Sequence, residues 1–514
     1  MPGEFDLLPE HAPPRSMAEL GIPESMLGDL ILREAVVSGR TSTVLLAKRL
    51  AVSPAVISPM VEELRELRYL EVRGMEGRDY LLAPTDAGRV EAMDRMQHCR
   101  YLGPAPVSLP AYVAMVQSQY EPPAFDMPSL REAFSDLVMG DGLLREVGPA
   151  AMGKGAMFLY GPPGTGKTSI AQRLLRLYSD AVLIPHCVEV DGQIVSVFDP
   201  IVHKPVLGLT IGGLDPRWVL CERPFVLVGG ELTRDQLDLS YQSSSGTYVA
   251  PLQMQANNGF LVIDDFGRQS LRPEELLNRW IVPLDRHVDY LSLEHGMTFE
   301  VPFTAKIVFS TNLEPRTLGD EAFFRRIQSK VLVPPVGDDQ FDEILQRVAA
   351  ARGIQLTSDA ATHLRWMSRE LGDGDLRPYL PGAVCDLLES VCAFEGLPLR
   401  LDPAMITRIA RMYFTHEPDT EEEPVTSSVG SLIEEAGLGP APRAGSLFSS
   451  PTVATGPDPV AAAAAKEKKK DRLASAAARA MAALEVEEHP TAADQDAAAA
   501  TPAAREPVAV PPPT

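Results

Sequence analysis

The 514-residue chain is poor in the features that mark secreted and membrane proteins. Its five cysteines, Cys99, Cys187, Cys221, Cys385 and Cys392, form no CxxC pair and have no histidine at zinc-ligand spacing. That usage points to reduced thiols rather than a disulfide framework or a structural zinc. No apolar run approaches the roughly 20 residues that span a bilayer. The start, MPGEFDLLPEH, lacks the basic and apolar blocks of a signal peptide. The reading is a cytoplasmic protein without a membrane span. Basic charge is scarce too, since 47 Lys and Arg face 70 Asp and Glu, for a net charge of −23. Non-specific nucleic-acid affinity comes from neutralising phosphates, so bulk charge does not draw this chain to DNA. After His416 aromatics are reduced to Phe448, in a stretch dominated by Ala, Pro, Glu, Ser and Thr. Residues 416–514 therefore read as a disordered low-complexity tail, with a lone helix possible only around the Ala-rich KEKKKDR cluster.

What is present divides the remainder. Residues 1–22 are Pro-rich and read as a disordered N-terminus. Within 23–98, Met26, Leu27, Leu30, Ile31 and Val36 share one helical face, and further helices fit Ser42–Leu50 and Pro54–Leu67. Extended runs follow at Tyr69–Arg73 and Tyr80–Ala83. Three helices and a hairpin are the order of a winged helix-turn-helix, and the phrase Tyr80 to Arg89 resembles the wing end of bacterial winged-helix regulators. Its third helix, in the recognition position, opens with Pro54, Ala55, Val56, Ile57, Ser58, Pro59 and Met60, too apolar to read base edges. A protein-contact role is therefore expected of it, with DNA binding possible but not favoured. Residues 99–128 read as a Pro-rich linker with a short helix near Ala111–Gln119. Residues 129–335 alternate apolar strand-like runs with helical stretches, as in a parallel α/β sheet. Residues 336–415 read as four helices, over 339–352, 356–371, 378–394 and 402–414.

The chemistry concentrates in 129–335. The apolar run Met157–Tyr160 enters Gly161-Pro162-Pro163-Gly164-Thr165-Gly166-Lys167-Thr168, and Ser169 continues into a helix. Glycines let backbone N–H groups curl around phosphate oxygens, and the helix N-terminus adds its positive dipole end. Lys167 supplies a charge to the β- and γ-phosphates, and Thr168 offers a hydroxyl to Mg²⁺. About a hundred residues on, Phe260-Leu261-Val262-Ile263 ends in Asp264-Asp265. A buried strand tipped by carboxylates is a Walker B pattern, in which Asp264 holds Mg²⁺ and Asp265 polarises the attacking water.

Together these motifs resemble the AAA+ ATPases over roughly 129–415. Lys306–Asn312 is similar to the strand ending in sensor 1, with Asn312 at the position that orients the water. Asp320–Ile327 resembles the segment bearing the arginine finger, and either Arg325 or Arg326 fits that role. Gly374-Asp375-Leu376-Arg377-Pro378 resembles the sensor 2 region, which makes Arg377 its candidate. The fold class implied is an α/β P-loop NTPase core with an all-helical lid, an N-terminal winged helix-turn-helix and a disordered tail. The function implied is Mg²⁺-dependent ATP hydrolysis by a homo-oligomer, in a ring, that remodels a protein client. The second Walker B acid is Glu in most of the family and Asp265 here, which keeps a slow switch or scaffold open. The runs Val288–Leu293 and Thr298–Val301 read as a hairpin like that of MoxR-like clades. Tyr241–Tyr248 reads as a connecting loop, with a pore-facing loop as its alternative. The scattered histidines His186, His203, His287 and His295 read as surface or core residues, not as a metal site.

Overall fold

The computed structural model describes residues 12–414 except 78, 121–123, 154, 179, 207–212, 319–325, 328 and 373. The expectations for residues 1–11 and for the tail from 416 lie outside the described residues, as does Arg325.

Five strands make a parallel central sheet: β1 (Met157–Tyr160), β2 (Phe225–Val228), β3 (Phe260–Ile263), β4 (Lys306–Thr311) and β5 (Ser329–Leu332). Their spatial order is β2-β3-β4-β1-β5. Alternate residues enter opposite cores, because side chains of a strand project to opposite faces. Phe158, Leu261, Ile263, Ile307 and Phe309 join one cluster with Trp280 and Phe266. Met157, Leu159, Phe260, Val262 and Val308 join the other, under the helices Asp141–Met152 and Lys167–Leu174. Burial on both faces is why Met157–Tyr160 and Phe260–Ile263 read as unbroken apolar runs in sequence.

The N-terminal unit follows the expected order, with helices Glu24–Ser38, Thr43–Leu50 and Pro54–Glu66 before strands Leu70–Glu76 and Asp79–Pro84. Ser42 belongs to a short strand, Thr41–Ser42, paired with Leu82 and Leu81, and its side chain accepts from Leu45 N to cap the next helix. Thr85 caps the helix Asp86–His98 in the same way, through Gly88 N. A Cβ on Gly88 would come within 2.1 Å of Tyr69 O, so the wing and the next helix pack together only with glycine there. The exposed face of Pro54–Glu66 carries Ala55, Ser58, Pro59, Glu62, Glu63 and Glu66. Arg65 of the same helix is partly exposed and is paired with Glu62 on that face.

The 99–128 segment is more than a linker. Val107–Ser108 pairs in parallel with Val188–Glu189, and helix Leu109–Ser118 sends Tyr112, Met115 and Val116 into a core. The partner is a second five-stranded sheet, built from Cys187–Val190, Gln193–Ser196, Thr247–Val249 and Ser240–Gln242 with that short strand. Here the 241–248 run is a hairpin, Ser240–Gln242 against Thr247–Val249, and it rests on the end of the N-terminal unit through Arg100 N to Ser245 O at 2.7 Å. The Val288–Ser292 and Thr298–Pro302 hairpin forms as expected and buries Leu291, Phe299 and Val301 in the same core. Arg217, itself buried against Asp215, donates to Leu20 O at 3.2 Å and Pro106 O at 3.1 Å, tying this insert to the N-terminal unit.

Helices Asp338–Ala351, Ala360–Leu371, Leu380–Glu395 and Pro403–Tyr413 form the lid around Phe341, Leu345, Leu364, Leu388 and Ile409. Among the described residues no helix is long and apolar enough to cross a membrane, and no cluster of His, Cys, Asp or Glu is arranged to hold a metal. His203 is fully buried, with Nε2 against Gln255 O at 2.9 Å, which fits the core reading.

Candidate functional site

Strand order decides the site. The P-loop leaves β1, Asp264 and Asp265 leave β3, and Asn312 leaves β4, and these three strands are neighbours. All three segments emerge at the carboxyl ends of the strands, where open α/β sheets bind ligands.

Within the loop, Gly164 at φ +76° and Gly166 at φ +91° take left-handed backbone that turns successive amides inward. Gly166 precedes the helix Lys167–Leu174, so the loop ends on a helix N-terminus, of which Lys167, Thr168 and Ser169 form the first turn. Thr165 and Lys167 are buried, and Pro163 and Gly164 are exposed. Lys167 Nζ donates to Gly161 O at 3.0 Å, Pro162 O at 2.8 Å and Asn312 Oδ1 at 2.6 Å. Its ammonium is lowered from the ordinary lysine range, first by burial, with Asp264 and Asp265 opposing that drop.

Thr168 Oγ1 donates to Asp264 Oδ2 at 2.6 Å. Asp264 is fixed from both sides, because its Oδ1 accepts from Asp265 N at 3.0 Å and its main-chain O from Gln269 Nε2 at 2.8 Å. Asp265 is exposed at φ +48°, and its Oδ1 accepts from Asn312 Nδ2 at 3.2 Å. Asn312 therefore bridges the P-loop lysine and the second Walker B acid. Two oxygen donors in contact, beside a buried ammonium and a ring of inward amides, suit a small hard cation with phosphates rather than a soft metal.

Arg326 is engaged within its own chain. Its Nε donates to Asp285 Oδ2 at 2.8 Å, on the helix Ile281–Arg286 of the same chain. Arg377 lies half-buried in the lid, just before helix Leu380–Glu395, and Leu376 O accepts from Val336 N at 2.9 Å, which anchors this turn.

Sequence reasoning missed Tyr379. A Cβ built on Gly164 would fall 2.3 Å from Tyr379 Cδ1, so the lid lays an aromatic ring against the P-loop. The Tyr379 hydroxyl is hydrogen-bonded to Tyr413, whose phenol is pushed up by burial and then by that contact. The only signal was position, two residues beyond Arg377. A second missed feature supports the hairpin: Asp289, 1% exposed, accepts from Arg279 Nη1 at 2.6 Å and Gln253 Nε2 at 2.9 Å.

Two family models match parts of the chain. Residues 138–199 match the family described as magnesium chelatase, subunit ChlI, and residues 337–411 match a domain of unknown function, DUF8689. Among solved structures, the Thermotoga maritima RuvB Holliday junction branch migration motor is similar at 14% identity, covering 58% of this chain and 73% of that one, with a TM-score of 0.29. The FIGL-1 AAA domain is similar at 14% identity, covering 56% and 84%, with a TM-score of 0.31. No curated relative matches the sequence.

Proposed function

We propose that the chain carries an AAA+ P-loop NTPase core and hydrolyses ATP with Mg²⁺, as a ring-forming homo-oligomer that remodels a protein client. The observation that carries the reading is the chain of contacts from Thr168 to Asp264 and from Lys167 through Asn312 to Asp265.

In this reading the amides from Gly161 to Ser169 cradle the phosphates and Lys167 bears on their β and γ oxygens. Thr168 and Asp264 are the protein's Mg²⁺ ligands, and the bound metal supplies charge neutralisation at the phosphates. Asp265 and Asn312 orient water for in-line attack on the γ-phosphorus, releasing ADP and phosphate. Asn312 gives up its contact with Lys167, or shares it, when phosphate binds. An arginine from a neighbouring subunit completes the charge clamp. Arg325 is the better candidate, because Arg326 is already engaged with Asp285 in its own chain. Arg377 contacts the nucleotide from the lid. The N-terminal unit and the tail select the client, and the acidic exposed face of Pro54–Glu66 favours a protein over DNA.

Steady-state ATPase rate against protein concentration, with Lys167→Ala as control, tests this. A rate per subunit that rises with concentration, vanishes in the control and falls on Arg325→Ala establishes assembly-dependent hydrolysis. One observation favours a second reading: the acid after Asp264 is the short Asp265, exposed and in left-handed backbone. A flat, barely detectable rate with clear ATP binding selects that reading, a nucleotide-dependent switch or scaffold.

A further inference from the structure

Ser310, on the strand that leads to Asn312, is 1% exposed, and its Oγ makes no hydrogen bond among the described residues. Only its main chain is engaged there, with Ser310 O accepting from Phe266 N at 2.8 Å. A buried hydroxyl without a partner destabilises a fold, so its presence calls for a physical reason. Thr41 Oγ1 and Trp280 Nε1 share the condition, but Thr41 belongs to the N-terminal unit and Trp280 to the core on the opposite face of the sheet.

The sheet fixes what the Ser310 hydroxyl faces. Ser310 lies two residues beyond Val308 on β4, so its side chain projects to the same face, which packs under helix Lys167–Leu174. Its partner in register on β1 is the apolar Leu159. On the other side the pair Ile263–Phe309 is followed along the two chains by Asp264 and Ser310. Asp264 turns to the same helix, since its Oδ2 accepts from Thr168 Oγ1. Neighbouring strands run about 4.8 Å apart. The unpartnered hydroxyl therefore sits between an apolar side chain and the Asp264 carboxylate.

That carboxylate has capacity for a further donor. An ionised carboxylate offers about four lone-pair sites. Two are used here, Oδ1 by Asp265 N and Oδ2 by Thr168 Oγ1. A cation held by Thr168 and Asp264 takes a third and leaves one. By drawing the Thr168 oxygen to itself, the cation also weakens the Thr168–Asp264 bond and leaves Oδ2 an acceptor for Ser310.

We propose that Ser310 is a positioning residue for the cation: its hydroxyl donates to the Asp264 carboxylate when Mg²⁺ is bound and holds it in ligating orientation. The inference rests on the reading of Thr168 and Asp264 as the Mg²⁺ ligands. Groups that hydrogen-bond a metal's ligands fix their orientation, and losing one costs about 10–100-fold in metal affinity. The hydroxyl thus has opposite effects in two states: it burdens the fold without the cation and supports a ligand with it. A serine that merely packs or bonds within the fold would not show that reversal.

The test compares full-length wild type with Ser310→Ala. Mn²⁺ is titrated into protein saturated with the β,γ-imido analogue of ATP, and free Mn²⁺ is read by electron paramagnetic resonance. Affinity for the analogue in EDTA and the urea midpoint of the nucleotide-free protein are measured beside it. In Ser310→Ala the Mn²⁺ affinity should fall at least about tenfold. Affinity in EDTA should be unchanged, and the urea midpoint should hold or rise. Retained Mn²⁺ affinity overturns the proposal. A lowered urea midpoint overturns it as well, because the hydroxyl would then have a partner in the fold without the cation. An equal loss of affinity in EDTA overturns it by placing the effect on the nucleotide rather than the cation. A wild type that binds no analogue overturns the ATP reading on which the inference rests.

Discussion

The contact between the lid and the P-loop can be tested through Gly164. Two costs meet at this position in Gly164→Ala. The backbone is at φ +76°, where an L-residue pays about 1–2 kcal/mol for its Cβ. The new Cβ would also lie 2.3 Å from Tyr379 Cδ1 and 2.4 Å from Cε1, so the ring must retreat by about 1 Å to reach an ordinary contact near 3.5 Å. Overpacking of that kind costs roughly 1–3 kcal/mol. The sum is about 2–5 kcal/mol. Tyr379→Ala removes the second cost and leaves the first. A double-mutant cycle read by urea titration should therefore show Gly164→Ala strongly destabilising on its own. It should be about 1–3 kcal/mol milder when Tyr379 is already alanine. Trp366 in the lid, Trp280 beneath the sheet and Trp218 in the insert give the titration a fluorescence signal from each region. Strictly additive costs would refute the claim that this ring lies against the loop.

Two further outcomes are expected. Asp265→Glu extends the carboxylate by about 1.5 Å, one C–C bond, and should raise kcat toward the roughly 100-fold that such a misplacement costs. An unchanged kcat with unchanged ATP affinity would show that aspartate has the right reach here. Lys306 also sets a pH dependence: its folded value of about 8 lies below the ordinary lysine value of 10.5, so between these the unfolded chain holds more protons. Stability then rises with pH across that window by up to about 1.4 kcal/mol per unit, and Lys306→Met should flatten the slope in denaturant titrations from pH 8 to 10.

The P-loop, the Walker B strand and the sensor 1 strand were legible because each is a short apolar run ending in chemically distinctive residues. Strand and loop signals of this kind are local. The lid helices were legible within a few residues for the same reason, through their 3.6-residue periodicity. Boundaries failed where packing overrode pattern: Val107–Ser108 sits in a Pro-rich stretch, yet becomes a strand because Val188–Glu189 offers it a partner. The 241–248 run likewise looked like a loop, being polar, and forms a hairpin because Thr247–Val249 extends an existing sheet edge beside Gln193–Ser196.

The sequence by itself determined which groups are available for chemistry: the glycine-rich turn, Lys167, Thr168, the paired aspartates and Asn312. It also determined that both faces of β1 and β3 are buried, since nothing polar interrupts Met157–Tyr160 or Phe260–Ile263. Only the tertiary structure decided how these groups meet. Strand order put β3 and β4 beside β1, which set Asn312 between Lys167 and Asp265 across 145 and 47 residues of chain. It placed Tyr379 on Gly164, engaged Arg326 with Asp285, and set Lys306 against the carbonyls of Ala150 and Gly153. The reason is physical: turns, caps and periodicity depend on residues within one or two helical turns. Contacts between strand ends, the lid and the loop depend on how separate elements bury their apolar faces against one another.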